Sequence, residues 1–143
     1  VAIDPDPETV KTARTAAGRR RLHNLRFEEA NLDQPALGEL IGGVFISHPP
    51  PFTFTVSPVF GEHPITGGIE AFAVHDEFYM ETHTPAVQVH MVAFDRGVAY
   101  PMAWSKIEGQ GRVAHIAPGH SREVWDLKPY QQLLLQTIDW LTT

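Results

Sequence analysis

The 143-residue chain contains no cysteine. That excludes disulfides, thiolate metal sites and a cysteine nucleophile. It leaves the compartment open, because a reducing cytosol and a disulfide-free exported protein both permit it. Long apolar runs are missing too. No stretch approaches the ~18–20 residues needed to cross a bilayer, and the first residues hold no apolar signal-peptide core. No membrane partner is expected, and a cytoplasmic location is, although a leader removed upstream is compatible with the same sequence. There is no Gly-x-Ser-x-Gly elbow to replace a cysteine nucleophile, so amidotransferase and serine-hydrolase chemistry fall away. The local zinc pattern His-Glu-x-x-His is absent as well.

Positive charge is scarce. Lys and Arg number 11 against 17 Asp and Glu, a formal charge of −6. The imbalance lies in residues 31–143, whereas residues 1–30 are close to neutral. A net-negative body argues against nucleic acid as a partner, since phosphate binding needs a cationic face. Arg19-Arg20-Arg21 is the one basic run and reads as a solvated helix end. What is present is an ordinary globular composition, 43% hydrophobic and 20% charged, with eight histidines as its oddity. The length suits one domain with its own core.

Residues 6–20 predict a helix, with Asp6 as cap and Pro7 at the first helical position. A second short helix is expected over 33–41, stopped by Gly42-Gly43, and Val44-Phe45-Ile46 is a brief apolar run. Beyond the proline stop at 49–51, β-structure dominates. Strands are expected over 53–60, 72–74, 78–80, 87–94, 100–105 and 112–117, with turns at 63–68, 95–97 and 108–111. The closing helix, about 129–141, places Tyr130, Leu134, Ile138 and Leu141 on one apparent core face.

Several residues invite chemistry. Gly119-His120 follows a strand and precedes Ser121-Arg122-Glu123, a helix start, where backbone N–H groups cluster. A neutral imidazole there suits metal ligation or general-base work, with simple capping as the structural alternative. Glu77 lies between apolar Val74 and Phe78. It is a half-buried carboxylate that needs a partner, or the polar face of a strand. Asp76 and His75 read as facing water. His48 opens the proline loop, while His63 is better explained by its turn. His48, Glu77 and His120 would together form a two-His, one-carboxylate set suited to zinc, iron or manganese. Trp104, Tyr79 and Trp125 offer aromatic faces to a small sugar or polyol, with core packing as the alternative for each. His83, His90 and His115 read as surface or strand-face residues.

Six segments in order resemble one family. They are Gly42-Gly43-Val44-Phe45 with His48-Pro49, then His63-Pro64-Ile65-Thr66 with Gly68, and Asp76-Glu77-x-Tyr79. Pro101-x-Ala103-Trp104, Gly109-x-Gly111-Arg112-Val113, and Gly119-His120 with Trp125 and Trp140 complete the set. Over about residues 40–141 the chain resembles the C-terminal part of a ThuA-like (trehalose-utilisation) domain. The resemblance implies an α/β fold, an open flavodoxin-like or class I glutamine-amidotransferase-like sheet flanked by helices. Residues 1–143 would form a single domain, with 1–32 a poorly matched helical segment and 33–143 the matched body. The family's N-terminal βαβ unit is expected to be lacking, since residues 1–30 hold no five-residue apolar strand. A homo-oligomer or a second chain would then complete the sheet.

The resemblance also implies a role in trehalose or related disaccharide metabolism, often beside a sugar-oxidising dehydrogenase. His120 and Glu77 would act as acid/base residues, or with His48 as ligands of a divalent metal. A non-catalytic module binding a small polyol is the alternative.

Overall fold

The computed structural model describes residues 2–4, 11, 14–15, 27–29, 35–59 and 62–143. The chain divides into two compact units, residues 1–38 and 39–143. In the first, β1 (Ala2–Asp4) pairs in parallel with β2 (Phe27–Glu29). Lys11, Arg14 and Thr15 between them are helical, and the Thr15 hydroxyl donates back to the Lys11 carbonyl at 2.9 Å. Strand, helix and parallel strand are the order of a βαβ unit. The expected lack of such a unit is corrected to strands of three residues, too short to read as apolar runs. The remainder of the expected helix over 6–20, including the arginine run, lies outside the described residues.

Helix α1 (Pro35–Ile41) matches the second expected helix and stops at Gly42-Gly43. β3 (Gly43–Ser47) pairs antiparallel with β6 (Met80–His83). Gly43 has a packing reason: a Cβ there would lie 2.8 Å from the Trp104 ring and 2.9 Å from the Thr82 carbonyl.

The second, larger sheet is wholly antiparallel, in the order β5 (Phe72–Asp76), β4 (Phe52–Pro58), β7 (Gln88–Asp95), β8 (Val98–Glu108), β9 (Gly111–Ile116). β4 alternates as its sequence predicts, burying Phe54 and Val56 and turning Thr53 and Thr55 out. The 95–98 hairpin closes on Arg96 and Gly97 with φ of 48° and 80°, the left-handed pair of a type I′ turn. One apolar cluster, with Phe54, Val74, Phe78, Met91, Met102 and Leu133 among its members, forms the core.

In β7 the register slips. Val89 pairs with Trp104 and Met91 with Ala103, so His90 is the extra residue of a bulge. It turns inward to 2% exposure and hydrogen-bonds Ser105 Oγ at 2.7 Å. The expectation of a surface position for His90 is corrected on that account.

α2 (Arg122–Trp125) and α3 (Lys128–Thr142) close the fold. The buried row of α3 is Tyr130, Leu133 and Thr137, not the expected Tyr130, Leu134, Ile138, Leu141; Ile138 is 54% exposed. The reason is polar. Gln136 donates to the carbonyls of Pro64, Ile65 and Gly67, fixing the 63–68 turn against α3 and setting the helix's rotation. Thr137 can be buried because its hydroxyl donates to the Leu133 carbonyl at 2.7 Å. Among the described residues, no helix is long and apolar enough to cross a membrane.

Candidate functional site

Three strands deliver polar residues just beyond their carboxyl ends: β3 leads to His48, β5 to Glu77, and β9 to His120. The side chains meet. His48 Nδ1 lies 3.7 Å from Glu77 Oε1, and His120 Nδ1 lies 3.5 Å from Glu77 Oε2. The Glu77 carboxylate, 15% exposed, is thus flanked by one imidazole on each oxygen.

Tyr79 completes the group. Its hydroxyl hydrogen-bonds Glu77, and its pKa is pushed up to about 12, by burial first and then by Glu77. The phenol is therefore a permanent donor to the carboxylate. Its ring packs edge-on to Phe45 at 5.2 Å and 5.6 Å from the His48 ring, so β3 supplies an aromatic wall. Phe45 belongs to the Gly-Gly-Val-Phe segment, where nothing in its pattern separates it from a core residue.

Asp76 is the member that sequence reading misplaced. It does not face water: it is fully buried, and it accepts the N–H groups of Gly119 (2.7 Å), His120 (3.2 Å) and Ser121 (2.8 Å). The backbone N–H cluster expected around His120 exists, and Asp76 occupies it. The β5 alternation carried the signal, since Asp76 lies two residues from buried Val74 on the same face, while His75 points outward. Tyr130 anchors the other side of this loop by donating to the Pro118 carbonyl at 2.8 Å.

The three aromatic candidates separate. Trp125 is 50% exposed, and its indole N–H donates to the Gly119 carbonyl, placing an open ring on the His120 loop. Tyr79 lies within the Glu77 group. Trp104 has no open face: it is 1% exposed, stacked on His115 and edge-on to His83, with its N–H on the Ile41 carbonyl. Its place as a sugar-stacking residue is given up, because it is the core contact between the two sheets. His83 and His115 are likewise partly enclosed beside it. His63 serves its turn as expected, its Nδ1 accepting the Ile65 N–H.

Among the described residues, no group of three or more His, Asp or Glu is disposed to hold a metal ion. The metal-ligand reading of His48, Glu77 and His120 is not carried forward. The two histidine nitrogens face different oxygens of one carboxylate at 3.7 and 3.5 Å, and His48 Nδ1 lies 3.0 Å from the Pro49 carbonyl.

The fold is an α/β domain of the flavodoxin-like, amidotransferase-like class, and it carries a His48/Glu77/Tyr79/His120 group. The profile of the ThuA (trehalose utilisation) family matches residues 22–141, and the chain belongs to that family. Comparison with curated proteins gives no match. Among solved structures, a ThuA-like protein from Bacteroides uniformis aligns with a TM-score of 0.61 and 21% identity, over 76% of this chain and 51% of its own. A ThuA-like protein from Parabacteroides merdae gives 0.60 and 21%, over 71% and 41%. A cytoplasmic protein from Salmonella typhimurium gives 0.60 and 15%, over 79% and 48%. The chain thus spans about half the length of the solved proteins it matches.

Proposed function

We propose that the chain acts in the use of trehalose or a related disaccharide, with His120 and Glu77 as an acid/base pair on a sugar hydroxyl or carbonyl. The observation that carries this reading is the Glu77 carboxylate held between His48 and His120. Such an array can take a proton from one sugar oxygen and return one to another. Tyr79 orients the carboxylate, and His48 assists from its second oxygen. Trp125, half exposed on the His120 loop, offers an apolar face to a pyranose ring. A sugar-oxidising dehydrogenase is the partner class that this reading carries.

A second reading, a polyol-binding module without turnover, draws support from the chain's spanning about half of its solved relatives. Calorimetry with trehalose and related disaccharides, paired with product analysis by NMR, separates the two. Turnover that His120→Ala abolishes while the fold persists supports the first. Binding without product supports the second. Unaltered turnover in His120→Ala would sink the acid/base assignment.

A further inference from the structure

One of the two histidines beside Glu77 has its hydrogen placed by a neighbour. His48 Nδ1 lies 3.0 Å from the Pro49 carbonyl oxygen, with the geometry of a hydrogen bond. A carbonyl oxygen can only accept, so the hydrogen of that bond sits on Nδ1. In the neutral ring the other nitrogen, Nε2, then carries the lone pair. Glu77 Oε1, 3.7 Å from the same Nδ1, is a negative group that favours a hydrogen on that nitrogen as well.

The ring is held in that orientation by its packing. Phe45 and Tyr79 lie against it, with ring centroids 5.9 and 5.6 Å away. The Nδ1 edge is turned to Pro49 and Glu77, which leaves the Nε2 edge turned away from both. The side chain is 36% exposed, so the ring is within reach of a ligand. Its polar neighbours are committed elsewhere. Glu77 takes the Tyr79 hydroxyl, and Asp76 takes the three amides of the His120 loop.

We propose that His48 Nε2 is the atom of this cleft that accepts a ligand hydroxyl, and that in turnover it takes that hydroxyl's proton. The O–H bond breaks, its electron pair stays on the oxygen, and an Nε2–H bond forms. The imidazolium so made keeps its Pro49 bond and stands 3.7 Å from the Glu77 carboxylate, whose charge offsets its own. The ligand class is therefore one that donates hydroxyl hydrogens, a neutral sugar or polyol. A phosphate dianion or a carboxylate offers only acceptors, and it would meet a lone pair with Glu77 behind it. The proton step rests on the sugar reading of the cleft, whereas the tautomer rests on the Pro49 contact alone.

Long-range proton–nitrogen-15 NMR of the whole chain reads both nitrogens of each imidazole, and His48→Gln identifies the His48 signals by their loss. Should that variant fail to fold, sequential assignment of the parent chain identifies them instead. At a pH where the rings are neutral, the expected result is the Nδ1–H form, which free histidine disfavours. The Nε2–H form at His48 would overturn the proposal. Added trehalose should shift the Nε2 resonance; binding seen by calorimetry with that resonance unmoved would overturn it too. His48→Ala should lower disaccharide turnover about 10²–10⁴-fold, with added imidazole restoring part of it. Turnover left intact in that variant would overturn the proton step. If trehalose neither binds nor reacts with the parent chain, the sugar reading fails and the spectrum alone judges His48: the Nδ1–H form upholds it as the acceptor, and the Nε2–H form removes it.

Discussion

The N–H of Ser121 donates to Asp76 Oδ1 at 2.8 Å, joining residues 45 positions apart. The other carboxylate oxygen takes the N–H groups of Gly119 and His120. One buried side chain therefore fixes three consecutive amides of the loop that presents His120. Glu77, the next residue, lies 3.5 Å from the His120 imidazole. Asp76 and Glu77 divide the labour, one holding the backbone and one meeting the ring.

Asp76→Asn replaces one acceptor oxygen by an N–H2 group that must face a backbone N–H. The variant should lose about 2–3 kcal/mol of stability, the cost of stranding buried donors opposite a lost charge. Urea denaturation checks this. A loss below about 0.5 kcal/mol, within the range of ordinary surface substitutions, would show that the loop does not depend on the carboxylate.

Gly119 has φ of 132°, and a Cβ there would run into the Tyr130 hydroxyl. Gly119→Ala should therefore break the Tyr130–Pro118 hydrogen bond, shift the His120 loop, and cost about 1–3 kcal/mol through backbone strain. Amide shifts of residues 119–121 in NMR spectra read the displacement directly. Spectra that superimpose on those of the parent chain would contradict it.

Much of this was legible in the sequence, and the failures share a cause. Proline and glycine punctuation located the β3 loop, the 63–68 turn and the 95–97 hairpin, because those residues act locally. His48, Glu77 and His120 could be picked out as candidates by type, but their spacing on separate elements did not show that they would meet. What escaped depends on pairing between distant segments. The β7 bulge that buries His90 is a register slip against β8, invisible in either strand alone. Gln136 ties α3 to a turn some seventy residues earlier, and a helical wheel of apolar residues placed Tyr130 and Leu134 on the core but wrongly added Ile138 and Leu141. Trp104 was indistinguishable from Trp125 by type; only their burial, 1% against 50%, separates core from platform.

That separation predicts opposite outcomes for the two indoles. Trp104→Ala should cost about 3–5 kcal/mol, the usual price of emptying an aromatic core site, and the chain should be largely unfolded at 37 °C. Trp125→Ala removes a half-exposed ring and one hydrogen bond to Gly119, so its stability loss should stay near ~1 kcal/mol. If the cleft takes a sugar, Trp125→Ala should weaken binding about tenfold, the worth of one stacking contact. Thermal melts and calorimetry together test the pair. Equal stability losses would refute the assignment of core and platform.

Acid should weaken the fold through His90. Burial first, and then neighbouring His63 at 4.1 Å between ring centroids, lower its pKa from 6.5 to about 4. In the unfolded chain the ring takes a proton near 6.5; in the folded chain it does so only near 4. Between those values the unfolded state binds more protons, so stability falls as the pH drops from 6.5 to 4 and this term is spent below that. A difference of this size corresponds to about 3 kcal/mol. His63 and His83, also lowered by burial, add in the same direction. His90→Gln keeps a side chain able to bond Ser105 but cannot titrate. Urea midpoints measured at pH 7, 5.5 and 4.5 should therefore fall less steeply in His90→Gln than in the parent chain. Parallel slopes would show that His90 carries no proton linkage and that other groups set the acid limb.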